Sequence, residues 1–189
     1  MEICMNETQA IQRLKNGDVG AMEELVQQYQ LKAIRTACLI TRDEEMARDA
    51  VQEAFLGVYQ RIYNFDESRP FEPYLLRSVV NTAINMAEKK RKEVPLNESG
   101  DPALVAALIS KAASTEDQVI YHQLKQQILE GLSQLPPRER AVIVERYYLG
   151  LSEKEMAGMH EVAAGTVKWL LNSARNRLRI LMGLEDDQL

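Results

Sequence analysis

The chain has 189 residues, 46% of them hydrophobic and 27% charged, a balance that fits one or two small globular domains and excludes collagen-like, disulfide-scaffold and wholly disordered proteins. The longest uninterrupted apolar run, residues 104–109, is far shorter than the roughly 20 residues that span a bilayer, and the N-terminus lacks a basic signal region. We therefore expect a cytoplasmic protein without membrane insertion. The net charge of −5 argues against indiscriminate nucleic-acid binding, but a whole-chain average can conceal a local basic face.

The residues that usually carry catalysis or bind metals are sparse. Cys4 and Cys38 have no CxxC partner and no neighbouring histidine, which predicts two reduced thiols. His122 and His160 have no thiol or carboxylate at ligand spacing, and the chain contains neither a nucleophile motif nor a glycine-rich phosphate loop. We expect a binding protein with no metal and no cofactor, not an enzyme.

Helical periodicity dominates the sequence, and strand signals are almost absent, so the predicted fold class is all-α. A stretch with Pro95, Gly100, Pro102 and several polar residues separates two periodic segments. We predict two small helical domains, residues 1–92 and 118–189, joined by a flexible linker over residues 93–117. The alanine-rich part of that linker predicts a short helix within it.

In the first domain, the pattern predicts helices over 8–14, from an Asp18 cap to residue 29, over 32–40 and over 43–63. A polar, proline-bounded loop over 64–73 follows, and then a helix from Tyr74 with the basic end EKKRK. In the helix over 43–63 one apolar stripe is complete without Asp49, Gln52 and Glu53, which lie on the polar side. Spacing alone predicts only a solvated face there.

In the second domain, helices are predicted over 118–132 and 138–148, separated by a Leu-Pro-Pro break. Ser152 and Glu155 have the spacing of a capping box, and another helix is predicted from Gly165, which together give a helix-turn-helix. The second of these helices has no acidic residue and places four cations away from its apolar stripe: Lys168, Arg175, Arg177 and Arg179. This pattern favours contact with duplex DNA.

Two features have both a structural and a functional interpretation. Phe65, Phe71 and Tyr74 surround the polar loop, where aromatic rings either pack in the core or stack on exposed bases of single-stranded nucleic acid. The basic run over 89–92 is favoured at a helix C-terminus by the helix dipole, and it is equally suited to phosphate contact.

Five stretches, in this order and spacing, resemble the bacterial sigma-70 factors of the extracytoplasmic-function (ECF) group over nearly the whole chain. They are GDVGAMEELVQQY, ARDAVQEAFLGVYQRI, FDESRPFEPYLLRSVVNTAINMAEKKRK, LPPRERAVIVERYYLGLSEKEMA and GTVKWLLNSARNRLR. The resemblance implies a sigma factor that binds core RNA polymerase and directs promoter-specific transcription initiation. Members of the group are commonly held by anti-sigma factors, so such a partner is expected as well.

The resemblance also implies roles for individual residues. The first domain would be sigma region 2-like, with Asp49, Gln52 and Glu53 facing core polymerase. Its minus-ten DNA contacts would be Asn64, Phe65, Asp66, Ser68, Phe71, Tyr74, Arg77, Asn81, Lys89, Lys90, Arg91 and Lys92. The second domain would be region 4-like, with minus-thirty-five contacts at Thr166, Lys168, Asn172, Arg175, Arg177 and Arg179.

The chain departs from the family pattern in the helix-turn-helix. Trp169, Leu170 and Ser173 stand where small or basic residues are typical, which predicts either altered DNA recognition or packing of Trp169 against the domain or a partner protein. His160 and Glu161 stand where the turn usually has Leu and Gly, and a non-glycine residue in the left-handed region costs about 1 kcal/mol.

Two alternative functions remain open from the sequence. One is a helix-turn-helix regulator that acts without core polymerase, which would leave the ARDAVQEAF stretch and the aromatic loop unexplained. The other is a sigma-like adaptor with weakened DNA recognition, suggested by the apolar Trp169 and Leu170.

Overall fold

The computed structural model describes residues 7–93 and 127–183, called here the first and second segments, and within these ranges all regular structure is helical. This confirms the all-α prediction. The first segment contains α1 (Glu7–Lys15), α2 (Ala21–Thr41), α3 (Glu44–Arg61), a 3₁₀ turn (Ile62–Asn64) and α4 (Phe71–Glu93). The second contains α5 (127–134), α6 (Pro137–Ile143), a π-helical turn (Val144–Tyr148), α7 (Glu153–His160) and α8 (Ala164–Leu181).

Helix α2 corrects two predictions. The predicted break between residues 29 and 32 does not occur, because the buried positions Leu25, Tyr29 and Ala33 keep one apolar face continuous through the helix. The N-cap is Gly20 and not Asp18, whose carboxylate instead accepts a hydrogen bond from the Gly20 amide at 3.0 Å. The helix consequently begins three residues after the predicted cap.

Helix α4 begins earlier than predicted, at Phe71 and not at Tyr74. Pro73 is compatible with this start because the amides of the first helical turn have no intrahelical acceptor, so a proline there loses no hydrogen bond. The earlier start makes Phe71 a helical core residue.

The first segment is built by mutual packing of α2, α3 and α4, with α1 against α2. All seven residues of the predicted apolar stripe are buried: Ala47, Ala50, Val51, Ala54, Phe55, Val58 and Ile62. Asp43 caps α3 by accepting from the Met46 amide at 3.0 Å. The buried stripe directs the opposite, polar side of α3 to solvent.

The second segment is built by packing of α6 and α7 on α8, around Met156, Val167, Leu171 and Ala174. The predicted capping box is present, since the Glu155 amide donates to Ser152 Oγ at 3.2 Å and the Ser152 amide donates to Glu155 Oε2 at 2.8 Å. The helix-turn-helix is thus formed by α7 and α8.

The two segments also contact each other, because α6 packs on both α2 and α4, and buried residues of both segments belong to one apolar core. The division into domains over 1–92 and 118–189 and their independent folding stay predictions. Except for Glu93, the predicted linker lies outside the described residues, as does the predicted helix within it.

Candidate protein and nucleic-acid interfaces

The polar side of α3 presents an unengaged surface. Asp49, Gln52 and Glu53 are all exposed and share one face, because their helix buries the opposite stripe. None of the three forms an ion pair or side-chain hydrogen bond within the part of the chain that the structure describes. Two carboxylates and one amide are therefore available to an external partner.

An apolar groove of about 470 Å³ between α2 and α3 adjoins this polar face. Gln52 is one of its lining residues, and Leu56 and Val19 at its edge are 53% and 60% exposed. The other apolar contributors include Met22, Val26, Phe55 and Tyr59. The sequence analysis missed Leu56 and Tyr59, although they follow Gln52 by four and seven residues and so lie on its face of the helix.

The loop before α4 is held in place by local hydrogen bonds. Asp66 Oδ1 accepts from the Ser68 hydroxyl at 2.7 Å and from the Ser68 amide at 3.0 Å, and these bonds lower the pKa of Asp66. Lys15 Nζ donates to the Phe65 carbonyl at 2.7 Å and pairs with Glu67 at 2.7 Å. Lys15 of α1 thus fixes the loop, a role that the sequence analysis did not identify.

The aromatic residues around the loop form a cluster. Phe65 and Phe71 are buried, with ring centroids 5.6 Å apart and edge-to-face geometry, and Tyr74 lies 4.8 Å from Phe65. The structure therefore favours core packing for the two phenylalanines, and their predicted DNA contact would require both rings to leave the core. Tyr74 is half-buried, while Asn64, Asp66 and Ser68 are exposed.

The predicted phosphate contacts on α4 differ in their surroundings. Lys89, Arg91 and Lys92 are exposed, whereas Lys90 Nζ lies 2.9 Å from Asp43 Oδ2 and lowers the pKa of that carboxyl. Arg77 pairs with Glu161 of the helix-turn-helix, and the half-buried Asn81 follows one turn later. The structure thus joins one predicted minus-ten residue to the other segment.

The predicted recognition helix α8 has an exposed N-terminal half that includes Thr166, Lys168 and Asn172. Arg175 Nε donates to the Tyr147 hydroxyl at 2.9 Å, and its guanidinium lies 5.8 Å from the centre of the Tyr147 ring. Tyr147, in the π-helical turn, was missed because a tyrosine 28 residues before Arg175 has no detectable spacing relationship with it.

Glu139 of α6 restrains the middle of α8. Ser173 Oγ donates to Glu139 Oε1 at 3.0 Å, and Arg177 Nε lies 3.0 Å from Glu139 Oε2. Because Glu139 is only 8% exposed, Arg177 neutralises a largely buried carboxylate within the protein. Arg179, the last cation in the predicted set, is exposed on the final turn.

The departures from the family pattern have separate structural explanations. Leu170 is partly buried against the core, and His160 bonds Glu145 inside the segment. Trp169 is 68% exposed, so the predicted packing of its indole against its own domain is wrong for the described residues. Glu161 adopts the predicted left-handed conformation with φ 57°.

Neither a metal site nor a membrane span is found in the ranges 7–93 and 127–183. No group of three or more histidine, cysteine or acidic side chains is arranged there to hold a metal ion. Among these helices, none combines the length and apolar character that crossing a membrane requires.

Comparisons with known proteins identify similar sequences for both segments. The family model for sigma-70 region 2 matches residues 25–93, and that for sigma-70 region 4 matches residues 125–178. The chain is 30% identical to the ECF RNA polymerase sigma factor SigW of Bacillus subtilis, over 89% of this chain and 92% of SigW. It is 28% identical to the ECF RNA polymerase sigma-E factor of Escherichia coli, over 89% of this chain and 90% of that protein.

Two solved structures share the fold. One is CnrH in complex with the cytosolic domain of CnrY, with a TM-score of 0.64 and 19% identity, covering 95% of this chain and 99% of the solved chain. The other is the sigma factor RpoE in complex with the anti-sigma factor NepR from Bartonella quintana, with a TM-score of 0.62 and 20% identity, covering 86% and 99%.

Proposed function

This chain belongs to the ECF group of bacterial sigma-70 factors. We propose that three separate surfaces of the described segments bind core polymerase, the minus-ten element and the minus-thirty-five element. As a member of that group, the protein binds core RNA polymerase and directs promoter-specific initiation. The match to region 2 argues against the alternative function, a helix-turn-helix regulator that acts without polymerase. What remains to be assigned is which residues carry each contact.

The polymerase surface is the exposed face of α3 together with the apolar groove beside it. Asp49, Gln52 and Glu53 form a polar rim, and Leu56 and Tyr59 supply apolar area next to it. An apolar centre with a polar rim is the usual anatomy of a specific protein interface. The two carboxylates on this face carry the assignment, because neither forms an ion pair or a side-chain hydrogen bond within residues 7–93 and 127–183.

The experiment replaces Asp49, Gln52 and Glu53 by alanine together and measures affinity for core polymerase. The matched control triple is Glu93, Gln127 and Glu130, which are also exposed and also comprise two acids and one glutamine. We expect the first triple variant to lose most of its affinity with an unchanged circular dichroism spectrum. Equal affinities for the two triple variants would refute the assignment.

The minus-ten surface combines the loop with α4, from Arg77 to the basic C-terminal turn of the helix. We propose that Asn64, Asp66 and Ser68 contact an unpaired base of the minus-ten element, because their polar groups are exposed and Lys15 already fixes their loop. Phe65 and Phe71 support this loop from the core, and Tyr74 is the most exposed of these three rings. The cations reach phosphates: Arg77, Lys89, Lys90, Arg91 and Lys92, with Asn81 beside them.

The minus-thirty-five surface is the N-terminal half of α8. Thr166, Lys168 and Asn172 are exposed there, and Arg175 is oriented by Tyr147. Major-groove recognition by a helix-turn-helix uses this part of the second helix. Arg177 and Arg179 lie further from the start of the helix, and Arg177 forms an ion pair with Glu139.

An anti-sigma factor is the regulatory partner that we propose, because the RpoE structure above contains one bound to a protein of this fold. The protein acts by binding and not by catalysis, and it functions in the cytoplasm, where core polymerase and promoter DNA are found.

Run-off transcription with core polymerase on a genomic promoter library tests the whole assignment. Polymerase binding without specific initiation would indicate the adaptor alternative instead.

A further inference from the structure

Trp169 is the single tryptophan of the chain and the sixth residue of α8, and its side chain points away from the core. It lies two residues from both Val167 and Leu171, which are buried, and two residues correspond to about 200° around an α-helix. The residue itself is 68% exposed. The side of α8 opposite to its buried stripe therefore has an indole at its centre.

The residues around the indole are small or uncharged, and together with it they form the outer face of α8: Gly165, Thr166, Trp169 and Asn172. All four are exposed. Apart from the backbone of its own helix and its chain neighbours, nothing in the described residues lies within 4 Å of the position that a Cβ would take on Gly165. Because a glycine adds no side chain, a partner can approach the backbone closely one turn before the indole.

Cations lie beside this outer face and not on it. Lys168 and Arg175 are seven residues apart, so both lie on the same side of the helix, and α8 contains no acidic residue. Phosphate contacts position a protein on duplex DNA, and the side chains that enter the groove reach base edges. In a helix-turn-helix these are residues near the start of the second helix. Trp169 thus has the position of a base-reading residue.

The chemistry of the indole limits which base it can read. It has one donor, the Nε1–H group, no acceptor, and a large apolar ring. In the major groove, thymine presents the acceptor O4 next to its apolar C5 methyl group. Cytosine presents a donor there, and guanine and adenine present no methyl group. Thymine is therefore the base whose edge matches both parts of the indole.

We propose that Trp169 reads a thymine of the minus-thirty-five element through the C5 methyl group of that base. The inference rests on the proposed function, because it requires that α8 occupies this element. It adds an apolar specificity-determining residue to a helix whose assigned contacts are polar or cationic. It also gives a role to a position at which the chain departs from the family pattern.

The first test compares thymine with deoxyuridine, which lacks only the C5 methyl group. Each thymine of a minus-thirty-five duplex, on either strand, is replaced in turn, and fluorescence anisotropy gives the dissociation constant of holoenzyme. We expect one replacement to raise this constant about fourfold, the effect of removing one methyl group from an apolar contact. No response at any thymine, or an element without thymine on either strand, would overturn the proposal.

Holoenzyme with Trp169→Ala is measured on the same duplexes. The variant is expected to bind the thymine duplex at least about fourfold more weakly and to lose the response to deoxyuridine, because the ring and the methyl group form one contact. Ile180→Ala is the matched control, since Ile180 is 76% exposed and lies three turns later on the same side of α8. It should keep both the affinity and the response. A response to deoxyuridine that persists in Trp169→Ala would overturn the proposal.

The accessibility of the indole separates contact with DNA from contact with protein. Replacing tryptophan by 5-hydroxytryptophan labels position 169 alone, and this residue is excited at wavelengths where the tryptophans of core polymerase do not absorb. We expect acrylamide quenching to persist when core polymerase binds and to decrease when the minus-thirty-five duplex is added. Loss of quenching on addition of core polymerase alone would identify a protein contact and overturn the proposal.

The same measurements distinguish this inference from the proposed function. Holoenzyme that binds no minus-thirty-five duplex, even with the unsubstituted chain, would contradict the proposed function and the inference together. Specific binding of the duplex without any response to deoxyuridine would contradict only the role of Trp169.

Discussion

His160 Nε2 lies 2.6 Å from Glu145 Oε1, so that the last residue of α7 is bonded to a carboxylate in the π-helical turn. Glu145 is fully buried, and its second carboxylate oxygen has no hydrogen-bond partner among the described residues. His160 is therefore the main polar compensation for this buried acid. The pair fixes the first helix of the helix-turn-helix against the turn that precedes it.

The first prediction concerns the thermodynamic role of this pair. His160→Leu is expected to destabilise the second segment by about 3 kcal/mol or more, because it leaves a buried carboxylate without its partner. The double variant Glu145→Leu/His160→Leu is expected to regain most of that loss, since an apolar pair of similar volume needs no compensation. Urea denaturation of the three proteins measures both effects, and equal stability of the single and double variants would contradict the prediction.

Local signals in the sequence predicted the helix-turn-helix well, while contacts between distant residues were not predictable. The capping box and the buried stripe of α3 follow from spacings of three and four residues, which a sequence displays directly. Glu145 and His160 are 15 residues apart, and each alone has the character of a solvated polar residue. The hydrogen bond from Arg140 to the Ile40 carbonyl and the Arg77–Glu161 pair join positions far apart in the chain, where periodicity carries no information.

The same distinction applies to the residues of the candidate site. Exposure of Asp49, Gln52 and Glu53 follows from the completeness of the apolar stripe, so their position could be predicted. Burial of Phe65 and Phe71 depends on how α4 packs on α2, where Tyr29 lies 5.7 Å from the Phe71 ring. An aromatic residue beside a polar loop is compatible with either environment, and only the packing distinguishes them.

The second prediction is a pH dependence at the N-cap of α3. Lys90 and the Met46 amide lower the pKa of Asp43, so its carboxylate stabilises the folded state at pH values above the ordinary pKa of 3.8. This stabilisation is lost as the pH falls from 3.8 through the lowered pKa of the folded state. Asp43→Asn keeps a capping side chain and removes the ion pair. At pH 7 we expect it to reduce stability by less than about 1 kcal/mol, because the pair is partly exposed.

Urea denaturation at pH 7 and at pH 3 tests this prediction. The difference between the original protein and the Asp43→Asn variant is expected to shrink at pH 3, where the aspartate is increasingly protonated. Asp49→Asn, on the exposed face of the same helix, is the matched control and should show a smaller difference at pH 7. A difference for Asp43→Asn that grows on acidification would have the wrong sign.

The third prediction concerns the orientation of Arg175. Tyr147→Phe removes the hydroxyl that accepts from Arg175 Nε but keeps the aromatic ring, so the arginine loses a restraint and must be ordered when DNA binds. We expect the dissociation constant of holoenzyme for a minus-thirty-five duplex to rise about two- to fivefold.

Tyr148→Phe provides the control for this measurement, because Tyr148 packs against the core and makes no described hydrogen bond with Arg175. Fluorescence anisotropy with labelled duplex gives both dissociation constants, and thermal unfolding checks that the second segment keeps its stability. Equal affinities for the two variants would show that the hydroxyl does not orient the arginine for DNA.

The last prediction separates two cations of α8 that the sequence places in one set. Lys168 is exposed, so Lys168→Ala should leave stability unchanged. It should also reduce the magnitude of the slope of log DNA affinity against log salt by about 0.9, which corresponds to the loss of one phosphate contact. Arg177 compensates the largely buried Glu139, so Arg177→Ala should lower the free energy of unfolding and change that slope less. Trp169→Ala, which removes an exposed ring, should change neither quantity by much. Salt titrations of duplex binding and urea denaturation of the three variants give the two quantities independently, and a loss of stability in Lys168→Ala with none in Arg177→Ala would reverse the roles assigned to these cations.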